Sequence, residues 1–282
     1  MDLTQISPQR RAVLERMKEY EREGKFDLPV EEDPPAPELL PEKVDYLCTK
    51  PSSKIKRKLA NFVGDRYFLG LIKKGVLSID EVTGKEHLHA LQNGAIVTSN
   101  HISPMDNYAV FHCIRPYLPR KYLYKIIREG NYTNFPGLYG FLFRHCNTLP
   151  LSRNRRTMMN FTSAVNTLLK RGESILVYPE QEMWWNYKKP RPFKVGGFKM
   201  AYRAGVPVVP VFLTMRDDEH KKDADGYPLQ HYAVHVLPPV YPDETLGEKA
   251  GAQKMLEQTF AEYKAKYEEV YKIPLVYGEA DE

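Results

Sequence analysis

The sequence predicts an α/β fold: a mixed central sheet flanked by helices, with an N-terminal helical extension and a C-terminal helix. Three observations carry that expectation. Between Ala95 and Leu237, short apolar runs rich in β-branched residues alternate with stretches whose apolar residues recur at helical spacing. Ahead of them lie a polar helical pattern and a proline-rich stretch. Behind them, residues 245–272 set Lys and Glu at i,i+4 spacing, the pattern of a solvated helix.

Residues 1–26 read as a polar helix. Ser7 supplies an N-cap and Pro8 the first turn, while Val13, Leu14, Met17 and Tyr20 follow helical spacing. Residues 27–43 hold five prolines among acidic residues, which reads as an extended arm or linker. Residues 52–74 return to helix. Lys54, Lys56, Arg57 and Lys58 open it, Lys73 and Lys74 close it, and Leu59, Phe62, Val63, Tyr67, Phe68, Leu71 and Ile72 lie between. Such a basic, aromatic, amphipathic helix either packs on a core or lies on an anionic membrane. Strands are expected at Ala95–Ser99, Lys121–Ile127, Thr148–Leu151, Ser174–Tyr178, Val208–Leu213 and Tyr232–Leu237. Helices are expected near 104–115, 157–171 and 195–204. The chain thus divides into an N-terminal helix and arm (1–51), a basic helix (52–74), an α/β domain (75–242), and a C-terminal helix and tail (243–282).

With 282 residues the chain is long enough to bury its own core without disulfide or metal staples. Forty-one Lys and Arg against 36 Asp and Glu give a net charge of +5. That suits contact with anionic lipid or a phosphorylated substrate. No nucleic-acid motif accompanies it, so no nucleic-acid partner is expected. No segment reaches the ~18 consecutive apolar residues of a membrane span, and mean hydropathy is −0.52. The first twenty residues are charged throughout and read as no signal peptide. Cys48, Cys113 and Cys146 are odd in number and widely spaced, which points to a reducing compartment. The expected location is cytoplasmic, peripheral on the inner face of the cell membrane. His87 and His89 lack further ligands nearby, so no metal is expected. There is no GxSxG, Walker loop or GxGxxG, so no cofactor is expected.

The sharpest feature is Thr98–Ser99–Asn100–His101–Ile102–Ser103–Pro104–Met105–Asp106. A strand runs into a polar turn, Ser103 reads as an N-cap, Pro104 as the first helical residue and Asp106 as the third. The bend brings the Asp106 carboxylate back towards the His101 imidazole. A carboxylate on one ring nitrogen fixes the tautomer and raises the basicity of the other, which then accepts a proton from a substrate hydroxyl. A helix N-terminus near Pro104 is one candidate to meet developing negative charge.

With these residues in view, the sequence resembles the glycerolipid acyltransferase family, typified by 1-acyl-glycerol-3-phosphate acyltransferase. That family carries a strand followed by Asn-His-x4-Asp, matched by Asn100, His101 and Asp106. A second block ends in arginine, matched by Thr148–Leu149–Pro150–Leu151–Ser152–Arg153. A third ends a strand in Pro-Glu-Gly-Thr, matched by Leu176–Val177–Tyr178–Pro179–Glu180. A fourth matches Val206–Pro207–Val208–Val209–Pro210–Val211, whose prolines read as strand-end punctuation. Lys125 matches a basic residue often found between the first two blocks. The resemblance implies acyl transfer from acyl-CoA or acyl-carrier protein, as co-substrate, to a hydroxyl of a lysophospholipid-like acceptor in phospholipid synthesis. It implies His101 as general base and Asp106 as its orienting partner. Asn100, Lys125, Arg153 and Glu180 would bind substrate, with Arg153 taking a phosphate and Glu180 holding an acceptor hydroxyl or a basic residue.

The third block departs from the family at Gln181–Glu182–Met183–Trp184–Trp185, which leaves the acceptor's identity open. Lys188, Lys189, Arg191 and Lys194, or Arg153, Arg155 and Arg156, are candidates to restore positive charge. Trp184 and Trp185 suit an interfacial loop, core packing or an acyl channel. Two rival activities use the same features: a thioesterase-like hydrolase with His101 activating water, and a non-catalytic lipid- or acyl-carrier-binding protein.

Overall fold

The computed structural model describes residues 6–278. The first five residues of the expected N-terminal helix and the last four of the tail lie outside the described residues. Helix α1 (Pro8–Arg22) starts as the sequence predicts: Ser7 Oγ accepts from the Arg10 backbone N–H and Pro8 takes the first turn. It is followed by α2 (Pro51–Lys73), β1 (Ser78–Thr83), β2 (Ile96–Ser99), α3 (Asp106–Ile114), β3 (Leu123–Ile127), α4 (Glu129–Thr133) and α5 (Gly137–His145). The chain then forms β4 (Thr148–Pro150), α6 (Arg155–Lys170), β5 (Ser174–Val177), α7 (Gly196–Ala204), β6 (Val208–Lys222), β7 (Pro228–Val236) and α8 (Glu248–Tyr271).

All seven strands join one sheet in the order β1-β7-β6-β2-β5-β3-β4. Every neighbouring pair is parallel except β6 and β7, so the sheet is mixed, as expected. Successive side chains leave a strand on opposite faces. Val97, Leu176 and Val209 therefore pack with Ala109, Val110 and Ile114 of α3. Ile96, Ile175 and Val208 pack on the other face with Phe161 and Leu168 of α6, Phe198 of α7 and Met255 of α8. Burial on both faces is why the central strands read as continuous apolar runs.

The structure differs from expectation where sequence signals are weak. Strand β1 (Ser-Ile-Asp-Glu-Val-Thr) sits at the sheet edge with its middle exposed, so it carries no apolar run. Strand β6 continues past Leu213 through charged residues and forms a solvent-facing ribbon with β7. Pro210 is inside β6 rather than at its end, with Leu237 N–H donating to its carbonyl at 2.8 Å. Helices α4 and α5 hide behind Gly130, Pro136, Gly137 and Gly140. At Gly140 a Cβ would fall 1.8 Å from the Phe135 carbonyl oxygen, so only glycine fits that turn.

The N-terminal segment is docked rather than a free linker. Met17 and Val30 are buried with Trp184 and Tyr187. The Leu39 N–H donates to the buried Glu129 carboxylate at 2.6 Å. Helix α2 divides its apolar residues. Ala60 and Gly64 are buried and Phe68, Leu71 and Ile72 pack on the core, whereas Ile55, Leu59 and Phe62 are 67%, 51% and 60% exposed. No helix among the described residues is long and apolar enough to cross a membrane.

Candidate active site

Strand β2 lies at the centre of the sheet, between β5 and β6, and its carboxyl end opens into the turn that carries the site. Crevices at carboxyl ends of parallel strands are where such sheets hold ligands. Asn100 anchors that turn. Its side-chain N–H donates to the Leu213 carbonyl at 2.9 Å and its oxygen accepts the Leu213 N–H at 2.8 Å. The buried amide is thus bound to the β6 backbone, which corrects its expected role as a substrate contact. It holds the turn so that the next side chain, His101, points outward.

His101 Nδ1 is 2.8 Å from Asp106 Oδ2, and the same oxygen accepts the N–H groups of Ile102 (2.9 Å) and Ser103 (3.1 Å). Asp106 Oδ1 accepts the Tyr178 hydroxyl at 2.6 Å. The carboxylate is completely buried, while the imidazole is 22% exposed. An acceptor at Nδ1 keeps the proton there in the neutral ring and leaves Nε2 with its lone pair. No group among the described residues bonds Nε2. Tyr178 also stacks on the imidazole, with ring centroids 3.9 Å apart and planes 13° from parallel. Burial, and then the Asp106 charge, push the Tyr178 phenol well above its usual range, so it remains a donor.

Two expectations about the helix start change. Helix α3 begins at Asp106 itself, with Ser103 Oγ accepting the Met105 N–H at 3.1 Å. The N–H groups of Ile102, Ser103, Met105 and Asp106 are all bonded within the protein. The turn around Pro104 therefore offers none of them to an oxyanion.

Glu180 lies behind His101. Its Oε2 accepts the His101 N–H at 3.2 Å and Arg191 Nη2 at 3.0 Å, and Oε1 accepts the Arg191 N–H at 2.9 Å. Of its two expected roles, it takes that of holding a basic residue. Both members of the pair are buried. Arg191 also donates to the carbonyls of Phe26 (3.0 Å) and Glu182 and lies over the Trp184 ring. Trp184 is core, and its backbone N–H donates to the His101 carbonyl at 3.1 Å, strapping the 181–187 loop to the turn that carries His101. Of the three readings for Trp184, core packing holds. Gln181, at the family's glycine position, has φ +67°, a left-handed conformation costing a non-glycine residue ~1–2 kcal/mol.

The basic run does not gather into an acceptor site. Lys189 pairs with Glu21 at 2.9 Å, Lys194 with Asp27 at 2.9 Å and Arg191 with Glu180, so these cations dock the N-terminal segment instead. Glu182 pairs with Arg128 at 3.0 Å. Arg153 is 71% exposed, but its Nε holds Glu129 at 3.1 Å and its Nη2 the Ala36 carbonyl at 2.6 Å. It therefore clamps the proline-rich arm, which was not expected from sequence. Lys125 reaches the carbonyls of Leu123 (3.4 Å) and Cys146 (3.3 Å) and sits 5.5 Å from the Phe111 ring. No described carboxylate pairs with it, and both carbonyls lie at the amino ends of β3 and β4, away from the strand end that carries His101. Among the described residues no His, Cys, Asp and Glu cluster suits a metal.

Tyr178 is the site residue that sequence reasoning passes over. The signal is the parallel pairing of β2 with β5, which sets Val177 beside Thr98 and brings the two strand ends together. For Tyr178→Phe we expect a two- to tenfold fall in turnover, roughly the worth of one ordinary hydrogen bond. The check is turnover of both proteins measured across the pH range. A profile that overlays the wild type would remove this role.

The mixed sheet and the imidazole–carboxylate pair at its central strand end give an α/β protein a geometry that can take a proton from a hydroxyl. Residues 80–214 match the family model described as "Acyltransferase". This stretch of the chain is similar to that family. The chain is 28% identical over 132 residues to a 1-acyl-sn-glycerol-3-phosphate acyltransferase of Chlamydomonas reinhardtii, covering 47% of this chain and 37% of that protein. It is 28% identical over 166 residues to a chloroplastic one of Brassica napus, covering 57% of this chain and 45% of that protein. It is 29% identical over 165 residues to the alpha enzyme of Ovis aries, covering 57% and 53%. The match thus spans about half or less of these relatives' length. The crystal structure of the 1-acyl-sn-glycerophosphate acyltransferase PlsC from Thermotoga maritima shares the fold, with a TM-score of 0.53 and 21% identity over 82% of this chain and 87% of that one.

Proposed function

We propose that the chain is an O-acyltransferase that moves a fatty acyl group from acyl-CoA or acyl-carrier protein to the hydroxyl of a 1-acylglycerol-3-phosphate-like acceptor. The observation that carries this reading is the His101–Asp106 pair, locked in one tautomer with Nε2 unpartnered, inside a stretch that matches the acyltransferase family. Nε2 takes the proton of the acceptor hydroxyl as its oxygen attacks the thioester carbonyl. The tetrahedral adduct collapses with loss of the C–S bond, and the imidazolium returns its proton to the leaving thiolate. Asp106 orients the ring and stabilises its charged form throughout. Incubation with radiolabelled palmitoyl-CoA and lysophosphatidate tests this: labelled phosphatidate supports it. Free palmitate alone would make the chain a hydrolase, and lipid binding without turnover would make it a carrier.

The same reading puts the protein on a membrane surface. Ile55, Leu59 and Phe62 follow i, i+4, i+7 spacing on the outer side of α2. Phe135, Leu138 and Tyr139 at α5 are also exposed, and Tyr67 joins the two helices through its hydroxyl contact with Tyr139 at 2.7 Å. Exposed Lys54, Lys58 and Arg66 accompany them. Apolar side chains flanked by cations suit the boundary of an anionic bilayer. Ile55→Gln with Phe62→Gln is expected to weaken co-flotation with phosphatidylcholine–phosphatidylglycerol vesicles by about tenfold or more, at unchanged melting temperature, since each lost apolar side chain forfeits ~1.5–3 kcal/mol. Unaltered flotation of the double variant would refute this surface.

A further inference from the structure

A cleft of about 220 Å³ lies between the 42–50 turn, the start of α2 and the end of α5. Tyr124 and Thr148, at the amino ends of β3 and β4, form part of its wall. His101 follows the carboxyl end of β2, and these strands run parallel through β5, so the cleft is at the opposite end of the sheet from the reacting centre.

The cleft is strongly cationic. Lys43, Lys50, Lys56, Arg57 and Arg144 line it, against Glu42 and Asp45. Arg57 Nη1 donates to the Tyr124 hydroxyl at 3.1 Å, and Arg144 Nη1 to the carbonyls of Phe135 (3.1 Å) and Tyr132 (3.4 Å). None of the five cations has an ion-pair partner among the described residues. Asp45 is occupied by the N–H groups of Thr49 (2.9 Å) and Lys50 (3.0 Å). The 23-residue helix α2 begins here with no side chain capping its first turn, so its positive end adds to the field. Two buried polar atoms are orphaned at the same place: Arg57 Nε, a donor, and Asn147 Oδ1, an acceptor. Asn147 is itself 5% exposed. Burial, then Lys56 and Arg144, push the His145 imidazole below its usual range, so it adds no charge of its own near neutrality.

Unpaired cations gathered in a cleft, with a donor and an acceptor left unmet, describe a site for an anion that also carries a hydroxyl. We propose that this cleft is a second anion site, separate from the acyl-transfer centre, that takes the phosphate and hydroxyls of an anionic lipid headgroup. The lipid source follows from place: Lys56 and Arg57 adjoin Ile55 and Leu59, the exposed apolar residues of α2. In this it rests on the membrane-surface reading above. The five cations give the phosphate charge-assisted donors, and Asn147 Oδ1 accepts a headgroup hydroxyl.

The anion site is tested first without a membrane, by an NMR titration of isotope-labelled histidine with inorganic phosphate at constant ionic strength. The His145 signal is assigned from its loss in His145→Gln. In the wild type phosphate raises the His145 midpoint, because it offsets the surrounding cations; in Lys56→Gln with Arg57→Gln it does not. No rise in the wild type, or the same rise in the variant, overturns the site. The lipid source is tested by flotation on phosphatidylcholine vesicles with and without phosphatidylglycerol. The double variant is expected to lose at least about tenfold in binding to the anionic vesicles, whereas Lys249→Gln, an exposed cation of α8, matches the wild type. Equal losses in both would reduce the effect to general charge and overturn the headgroup assignment. A wild type that floats on neither vesicle refutes the membrane reading and the lipid source together, and the His145 response decides the anion site on its own.

Discussion

His101→Ala is expected to lower kcat/KM for the proposed acyl transfer by about 10²–10⁴-fold, the ordinary worth of a positioned general base, and to leave the melting temperature within a few degrees of the wild type. The loss is so large because nothing else at the site can take the proton. The Asp106 oxygens already accept the Tyr178 hydroxyl, two backbone N–H groups and the imidazole itself. Both Glu180 oxygens are bonded behind the His101 backbone. The fold is spared because the ring is partly exposed and its backbone anchors, Glu180 below and the Trp184 N–H alongside, do not involve the imidazole. The loss falls on kcat more than on KM, since the base acts only as charge develops. Wild-type turnover in a folded His101→Ala protein would end the proposed mechanism.

This pair is legible in the sequence because its geometry is local. A strand end, a turn and a helix start leave few ways to place residues five apart, and the carboxylate returns to the ring with help from the N–H groups it spans. The sheet is legible for a related reason: double burial turns β2, β5 and the first half of β6 into apolar runs. What escapes the sequence depends on partners distant along the chain. Asn100 neighbours His101 in the chain, yet one side chain turns in to β6 and the next turns out, a choice set by Leu213. Arg153 carries the residue type that phosphate favours, but the buried Glu129 and the Ala36 carbonyl reach it first. The cations at Lys189, Arg191 and Lys194 suggest an anion site until the N-terminal segment folds over and supplies Glu21, Asp27 and the Phe26 carbonyl. The altered third block is explained by the same docking. Trp184 fills the space between the catalytic turn and α1, where it meets Met17 and Val30.

That docking makes the second large expectation one of stability. Arg191→Met leaves the buried Glu180 carboxylate without its cation, and removing one member of such a pair costs about 3–5 kcal/mol. For a chain of this size that corresponds to a fall in melting temperature on the order of 10 °C. The variant also gives up the guanidinium contact over the Trp184 ring, so the charge is separated from that contact by the second substitution. Replacing Glu180 as well, as Glu180→Gln with Arg191→Met, removes the uncompensated charge and is expected to recover part of the loss, giving a coupling energy of roughly 1–3 kcal/mol in a double-mutant cycle. Activity has a separate response. Arg191 joins the Phe26 carbonyl on the N-terminal segment to the carboxylate that holds the His101 N–H. The single variant is therefore expected to lose turnover below its melting transition, together with faster proteolysis within residues 22–40. If Arg191→Met melted with the wild type and residues 22–40 stayed protected, the Glu180–Arg191 pair would not be what fastens the N-terminal segment to the catalytic turn.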